Sequence, residues 1–165
     1  MSQSLFSRNS TNKTSKKMEQ KKGTRDLFLE TLTKIGCQYE TGEGEDDLIH
    51  FAYQGEDFHA SIDDEHSYIF IYDLGWYSVE LYDIDEIARL RKAINDSNWE
   101  NMVTTMFNID NESQRMDVIS KVAFLFIPEI PDLEGYLRVE LNEFFQAHYL
   151  VNIEMMKLRE KDALS

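Results

Sequence analysis

Apolar residues recur along this chain with two different periods. Between residues 24 and 35 the large apolar side chains return at helical spacing, and Gly36 follows as a stop. From Leu48 the period changes to two, which is typical of strands that bury one face. The pattern therefore predicts a short amphipathic helix followed by a sheet.

The strand pattern continues through residues 48–82. Residues 49–53 and 58–62 alternate on either side of a turn at residues 54–56, which predicts a β-hairpin. Residues 68–72 are apolar on both faces, so this strand is expected to be central in its sheet. Residues 76–82 alternate again and are predicted to be a fourth strand or a bent continuation of the third.

The second half of the chain repeats this alternation of helix and strand. Asp83 followed by Glu86 has the spacing of a capping box and predicts a helix to about Ile94. Residues 103–109 and 116–127 alternate as strands, and Pro128 ends the second of them. The predicted order is α-β-β-β(-β)-α-β-β-α, with five to six strands backed by helices.

The last predicted element is a long helix, residues 132–159. Its apolar stripe, which we expect to lie in the core or in a dimer interface, consists of Leu133, Leu137, Leu141, Phe144, His148, Val151, Met155 and Leu158. Such a helix would run roughly 42 Å, longer than a domain of this size needs. We therefore expect part of it to overhang or to pack on a second copy of the chain, which favours a homodimer.

Charge divides the chain into two parts. Residues 1–23 carry six basic side chains against one acidic, a sum of +5, so the remaining residues carry −19 of the net charge of −14. We predict a flexible basic arm at residues 1–23 and one folded acidic domain at residues 24–165. An acidic domain repels nucleic acid, so binding to nucleic acid or to an acidic membrane face is left to the arm.

The cellular compartment of the protein can be predicted from its hydrophobic segments and its cysteine content. No stretch of the sequence is apolar enough to span a membrane, and the single Cys37 has no partner for a disulfide or a redox motif. Both features favour a cytoplasmic protein.

The sequence contains no recognisable catalytic motif. His59, Asp63, Asp64 and His66 are nitrogen and carboxylate donors close together in sequence. A metal-dependent hydrolase using the turn from His59 to His66 is therefore the alternative to a binding protein. The abundant carboxylates follow no acid and base pattern, so we predict that the protein is not an enzyme and needs no cofactor.

Aromatic residues are the candidates for partner binding. Trp76, Tyr77, Trp99 and Phe107 lie at predicted strand edges or in connections. A large ring in such a position either closes the core or anchors a partner.

Four segments of the chain resemble the YbjN-type domain, a family of bacterial sensory transduction regulators whose fold is shared with type III secretion chaperones of the CesT class. They are LTKIGCQYE (32–40), LIHFAYQGEDFHASID (48–63), INDSNWENMVTTMFNID (94–110) and VAFLFIPEIPDLEGYLRVELNEFFQ (122–146). The resemblance implies an α+β domain with a curved antiparallel sheet backed by helices, commonly dimeric, that binds other polypeptides.

These observations lead to one functional hypothesis. We expect a non-catalytic domain that acts as an adaptor, a regulator or a chaperone for a polypeptide client. The client would dock on the sheet or in a groove between helix and sheet, with edge-strand pairing to its main chain. The acidic surface would select basic clients.

Overall fold

A computed structural model of the chain describes residues 23–42 and 47–164. Apart from Gly23, the predicted basic arm lies outside the described residues. The described elements, in chain order, are α1 (Thr24–Ile35), β1 (Tyr39–Thr41), β2 (Ile49–Tyr53), β3 (Glu56–Ile62), β4 (Tyr68–Glu80), α2 (Ile84–Ser97), β5 (Thr104–Asp110), β6 (Arg115–Leu125) and α3 (Leu133–Ala163). None of the described helices is long and apolar enough to cross a membrane.

The six strands form one antiparallel sheet in the order β1-β2-β3-β4-β6-β5. Consecutive strands pair as hairpins except where α2 carries the chain from β4 to the far edge, from which β6 returns beside β4. The prediction of an α+β fold with an antiparallel sheet of five to six strands is confirmed. As predicted, β4 is central, because it pairs with β3 on one side and with β6 on the other.

Two backbone features shape the sheet. The β2–β3 hairpin turns through Gln54 and Gly55, which have φ of 51° and 91°, the left-handed conformation of a tight two-residue turn. In β4 the register against β6 shifts between Leu74 and Tyr77, and Gly75 there has a φ of 71°. This bulge joins the predicted third and fourth strands into a single bent strand.

The caps of α1 and α2 differ in origin. Asp83 accepts a hydrogen bond from the Glu86 N–H at 3.0 Å, so the predicted cap of α2 is confirmed. In α1 the Asp64 carboxylate from the β3–β4 turn accepts from the Arg25 N–H at 2.9 Å, and Thr24 does not cap the helix. Gly36 ends α1 in the left-handed conformation, as predicted.

All three helices cover one face of the sheet, which we call the inner face. One core cluster joins α1 and the first half of α3 to β2, β3 and β4, and a second joins α2 and the second half of α3 to β4 and β6. Because α3 contributes side chains to both clusters, packing within one chain explains its length of 31 residues. The expected overhang is therefore wrong, since Val151 and Met155 pack in the second cluster and Arg159 contacts α2.

Several elements differ from the predictions. The three-residue strand β1 is absent from the prediction, because all its residues are exposed and it is defined by pairing with β2. Helix α2 runs to Ser97, past the predicted end at Ile94, and the side chain of Asn98 then bonds both the N–H and the carbonyl of Thr105. Helix α3 ends at Ala163 instead of Arg159.

Candidate functional site

The face of the sheet opposite the helices is open in the described part of the chain. Residues directly opposite each other in an antiparallel pair point to the same side, so the register assigns each side chain to a face. Tyr68 pairs with Leu125, Leu74 with Ile119, and Ile119 with Met106. We call this set, together with Phe70, the outer sheet face; its members are Tyr68, Phe70, Leu74, Met106, Ile119 and Leu125.

The outer sheet face is largely apolar and exposed, and one basic side chain, Lys121, lies on the same side opposite Tyr72 and Thr104. The exposed fractions are 56% for Tyr68, 41% for Phe70, 48% for Leu74 and 36% for Leu125, while Met106 and Ile119 are half-buried. A contiguous apolar surface on a folded domain is characteristic of an interaction site. The alternating residues Ile69 and Ile71 of the same strand are completely buried on the inner face.

Two neighbouring histidines border this surface. His50 and His59 are cross-strand partners whose ring centroids lie 4.3 Å apart. Burial, followed by the effect of His50, lowers the pKa of His59, and the His59 Nδ1 is buried without a hydrogen-bond partner. The His59 ring lies beside Tyr72 and Leu74 and borders the apolar surface there.

Of the four aromatic candidates, Trp76 and Tyr77 lie among packed side chains. Trp76 stacks on the His148 ring at 3.9 Å and donates its Nε1–H to the Ser120 hydroxyl at 3.0 Å. Tyr77 packs on the second core cluster, and its hydroxyl accepts from Arg159 at 3.1 Å. These contacts make both rings part of the packing between β4 and α3, with little surface left for a partner.

Trp99 and Phe107 are on the surface near the other edge of the sheet. Trp99 lies in the α2–β5 connection with 85% of its surface exposed. Phe107, 37% exposed, projects from edge strand β5 on the inner side, where the Arg91 guanidinium lies 6.0 Å from its ring centroid. An open groove of about 640 Å³ runs between α2 and β5 at this point.

The stripe predicted on the last helix faces the interior of the same chain. Leu141, Phe144, Val151 and Met155 are at most 1% exposed, and Leu158 is half-buried against the second core cluster. His148 pairs with the Asp73 carboxylate at 3.1 Å, a buried contact between α3 and β4. The stripe is thus covered by its own sheet and by α2.

The turn from His59 to His66 does not converge on one point. His59 contacts His50, the Asp64 carboxylate caps α1, and His66 Nδ1 lies 3.0 Å from Asp63 Oδ2. Within residues 23–42 and 47–164 no three metal-donor side chains form a group that could hold an ion. Nothing in this arrangement favours the metal-dependent alternative.

The buried polar groups of the inner face are closed to a substrate. The Ser120 hydroxyl lies 3.1 Å from that of Thr105, and the two residues are 0% and 2% exposed. Asp73, 3% exposed, pairs with His148 nearby on the same face. The two hydroxyls therefore bond each other, whereas the Asp73 Oδ2 and the His148 Nε2 face each other at 3.1 Å without the alignment of a hydrogen bond.

No protein-family profile matches the chain, and no curated protein matches it in sequence at a significant level.

Among the solved structures that resemble its fold are two proteins of low sequence identity. One is an uncharacterized protein from Methanothermobacter thermautotrophicus, 12% identical, with a TM-score of 0.54, for which the match covers 84% of this chain and 98% of that one. The other is YbjN from E. coli, 12% identical, with a TM-score of 0.49, covering 84% of this chain and 93% of that one. At this identity the likeness shows the fold alone. The chain shares its fold with the Methanothermobacter protein, and its own architecture is the α+β arrangement of an antiparallel sheet backed by helices that was expected.

Proposed function

We propose that this protein is a non-catalytic protein-binding module, an adaptor, regulator or chaperone whose client docks on the outer sheet face. The observation that carries the proposal is the contrast within β4, where Ile69 and Ile71 are fully buried and Tyr68 and Phe70 remain exposed. An open sheet face with rings and aliphatic side chains offers a client apolar contact area and rigid aromatic anchors.

Charge favours a basic client. The residues after the arm carry −19. The carboxylates of Asp57, Asp63 and Asp117 lie on or beside the outer side of the sheet, together with Lys121 and an ion pair between Arg115 and Glu80. Opposite charge speeds association and disfavours acidic competitors. The partner that fits best is an amphipathic segment with an apolar stripe flanked by Lys or Arg.

The test uses a synthetic helical peptide with a leucine stripe and lysines on its other faces, followed by fluorescence anisotropy. We expect the full chain to bind it more tightly than the same peptide with glutamate for lysine. Phe70→Glu is expected to weaken binding at least tenfold. Val139→Glu is the matched control, because it places the same charge on an α3 side chain that is 57% exposed. Equal affinity of both variants and the unchanged chain would refute the proposal.

We also propose that the protein forms a homodimer, on a different surface from the one predicted. The stripe of α3 is covered within the chain, whereas β5 is an edge strand that lacks the Lys, Pro or bulge that usually protects an edge. Asn98 occupies the backbone of this edge at Thr105, so the segment proposed for pairing is residues 106–110. Phe107 and Ile109, 37% and 48% exposed, border that edge. Antiparallel pairing of β5 with its copy would cover both and place the two Asp110 carboxylates at opposite ends.

Light scattering tests the dimer directly. We expect a mass about twice 19.4 kDa for the full chain, and the monomer mass for Ile109→Lys. Ile84→Lys is the control, since Ile84 is 74% exposed at the start of α2. A monomeric unchanged chain at high concentration would exclude the dimer and leave client binding to the outer sheet face untouched.

A further inference from the structure

We propose that residues 1–22 of the chain bind across the outer sheet face of the same molecule and compete with the client there. The inference rests on the proposed function, because it gives the basic arm control of the client-binding surface. Three observations support it: the point at which the arm joins the domain, its length, and its side chains.

The arm joins the domain at one end of the outer sheet face. Gly23 immediately precedes α1, whose first residues are fastened to the β3–β4 turn. The Thr24 hydroxyl donates to the His66 carbonyl at 3.2 Å, and the Arg25 N–H donates to Asp64 at 2.9 Å. This turn leads directly into Tyr68, so the junction of arm and domain lies at the same end of the sheet as the most exposed ring of the outer sheet face.

The arm is long enough to cross the whole surface. From Tyr68 to Leu74 the outer sheet face extends roughly 20 Å along β4. An extended chain reaches about 3.3 Å per residue, so the segment between Phe6 and Gly23 can span roughly 55 Å. Phe6 can therefore reach any part of the outer sheet face without straining the chain.

The side chains of the arm complement those around the surface. Lys21 and Lys22 directly precede Gly23 in the sequence, and the turn against which Gly23 lies carries Asp63, Asp64 and Glu65. Opposite charges at this point would hold the start of the arm against the turn.

Further along, the arm offers apolar groups to the apolar surface. Leu5 and Phe6 are adjacent, and with Met1 and Met18 they are the large apolar side chains of residues 1–22. Apolar groups of this size fit a surface made of exposed rings and aliphatic chains.

Covalent connection makes a weak contact effective. A tethered segment acts at an effective concentration in the millimolar range when its length matches the span to its site. An arm of modest intrinsic affinity would therefore cover the outer sheet face until a client of higher affinity displaced it. A basic amphipathic client would therefore have to bind the outer sheet face more tightly than the basic arm of the same chain.

A nitroxide on the arm tests the contact in the full chain. The label is placed at Ser7→Cys in a Cys37→Ser background, and paramagnetic broadening is read on leucine and isoleucine methyl groups. We expect at least twofold loss of signal for Leu74, Ile119 and Leu125, and no loss for Leu90, a buried residue of α2 on the inner face. At 1 M salt the Debye length falls to about 3 Å, so the broadening should decrease.

Matched arm variants separate apolar docking from charge. Leu5→Asp with Phe6→Asp should abolish the broadening, while Ser2→Asp with Ser4→Asp makes the same charge change and should keep it. Broadening that is absent, or equal for Leu90 and Leu74, would overturn the inference. Broadening seen only when labelled and isotope-enriched molecules are mixed would also overturn it, because the arm would then bind a second copy.

The same variants test competition, with the leucine and lysine peptide as probe. Leu5→Asp with Phe6→Asp should bind the peptide at least threefold more tightly than the Ser2 and Ser4 control. Equal affinities would overturn the competition even if the arm contacts the sheet. If no variant binds the peptide while the methyl broadening persists, the proposed client function fails and the arm contact stands.

Discussion

The two faces of the central strand β4 have similar apolar content and opposite surroundings. Ile69 and Ile71 are 0% exposed beneath α1 and α3, whereas Tyr68 and Phe70 are 56% and 41% exposed on the other side. Both sets pair with neighbours in the same sheet and follow the same alternation. Apolar character alone therefore does not tell which face of a strand is buried.

The difference comes from where the helices can go. Helix α3 packs against α1 with its first half and against α2 with its second half, so the three helices form one continuous layer on the inner face. The two core clusters along α3 lie between this helix layer and the sheet. No described helix remains to cover the second face, and its apolar side chains stay available for a partner.

The sharpest test removes a phenylalanine ring from each of the two faces and compares the losses of stability. Phe58 is 0% exposed on the inner face and contacts Phe51 and Phe144, with ring centroids 5.5 and 5.1 Å away. We expect Phe58→Ala to lower the free energy of unfolding by about 3–5 kcal/mol. Phe70→Ala on the outer sheet face should cost about 1 kcal/mol.

Urea unfolding of both variants measures the comparison. If Phe70→Ala were as destabilising as Phe58→Ala, the outer sheet face would be packed like a core, and the argument for an open docking surface would fail.

A second test concerns charge on the two faces. Asp73 on the inner face is 3% exposed and pairs with His148 at 3.1 Å. Removing one member of a buried pair leaves the other without its partner, so Asp73→Ala should cost about 3 kcal/mol. Asp117→Ala, on the outer side of β6, should change stability by about 0.5 kcal/mol. Similar losses in thermal or urea unfolding would mean that the Asp73–His148 contact contributes little.

Local chemistry predicted much of this fold from the sequence. Gly55 marks the hairpin turn, Asp83 caps α2, and the alternation of β6 places Met116 and Phe124 in the core. Each of these signals acts within a few residues. Features that depend on distant parts of the chain were missed, such as the capping of α1 by Asp64 and the pairing of Tyr39 with Phe51 that defines β1.

The candidate site was only partly predictable for the same reason. The alternation of Tyr68 and Phe70 with Ile69 and Ile71 was visible, and it correctly indicated a central strand. Whether both faces are covered depends on the helix layer, which no local pattern reports. The sequence left open whether Trp76 closes the core or anchors a partner, because nothing nearby in sequence shows that His148 stacks on it.

A third prediction uses a buried acid in the helix layer. Glu140 of α3 is 8% exposed, burial raises its pKa, and the Tyr136 hydroxyl bonds it. The folded chain then holds this proton more tightly than the unfolded chain, so stability falls as pH rises from the ordinary pKa of 4.5 through the raised one. Glu140→Gln should raise Tm at pH 7.5 by about 2–4 °C and leave it unchanged near pH 4.

Calorimetry across that pH range, with exposed Glu160→Gln as control, measures the effect. A Glu140→Gln variant that is less stable than the unchanged chain at pH 7.5 would show that the carboxylate is better satisfied in the folded state than its burial indicates.

The smallest expected change in stability concerns Glu86, whose ion pair with Arg159 joins α2 to α3. The pKa of this carboxyl is shifted in the opposite direction to that of Glu140. Glu86 of α2 accepts a hydrogen bond from the Arg159 Nε at 3.0 Å and one from Arg89 at 2.8 Å, and the bond to Arg159 is the main cause of its lowered pKa. A lowered pKa contributes stability above the ordinary value of 4.5, and this is lost as pH falls through the folded value.

We expect Glu86→Gln to cost about 0.5–1 kcal/mol at pH 7 in low salt, because Arg159 is partly exposed and water screens the pair. The loss should shrink at 1 M salt and at low pH, in contrast to Glu140→Gln, whose benefit appears only as pH rises. Urea unfolding at the two pH values separates the two glutamates. A loss at Glu86 that is independent of both pH and salt would mean that the side chain stabilises the helix layer by packing and not by charge.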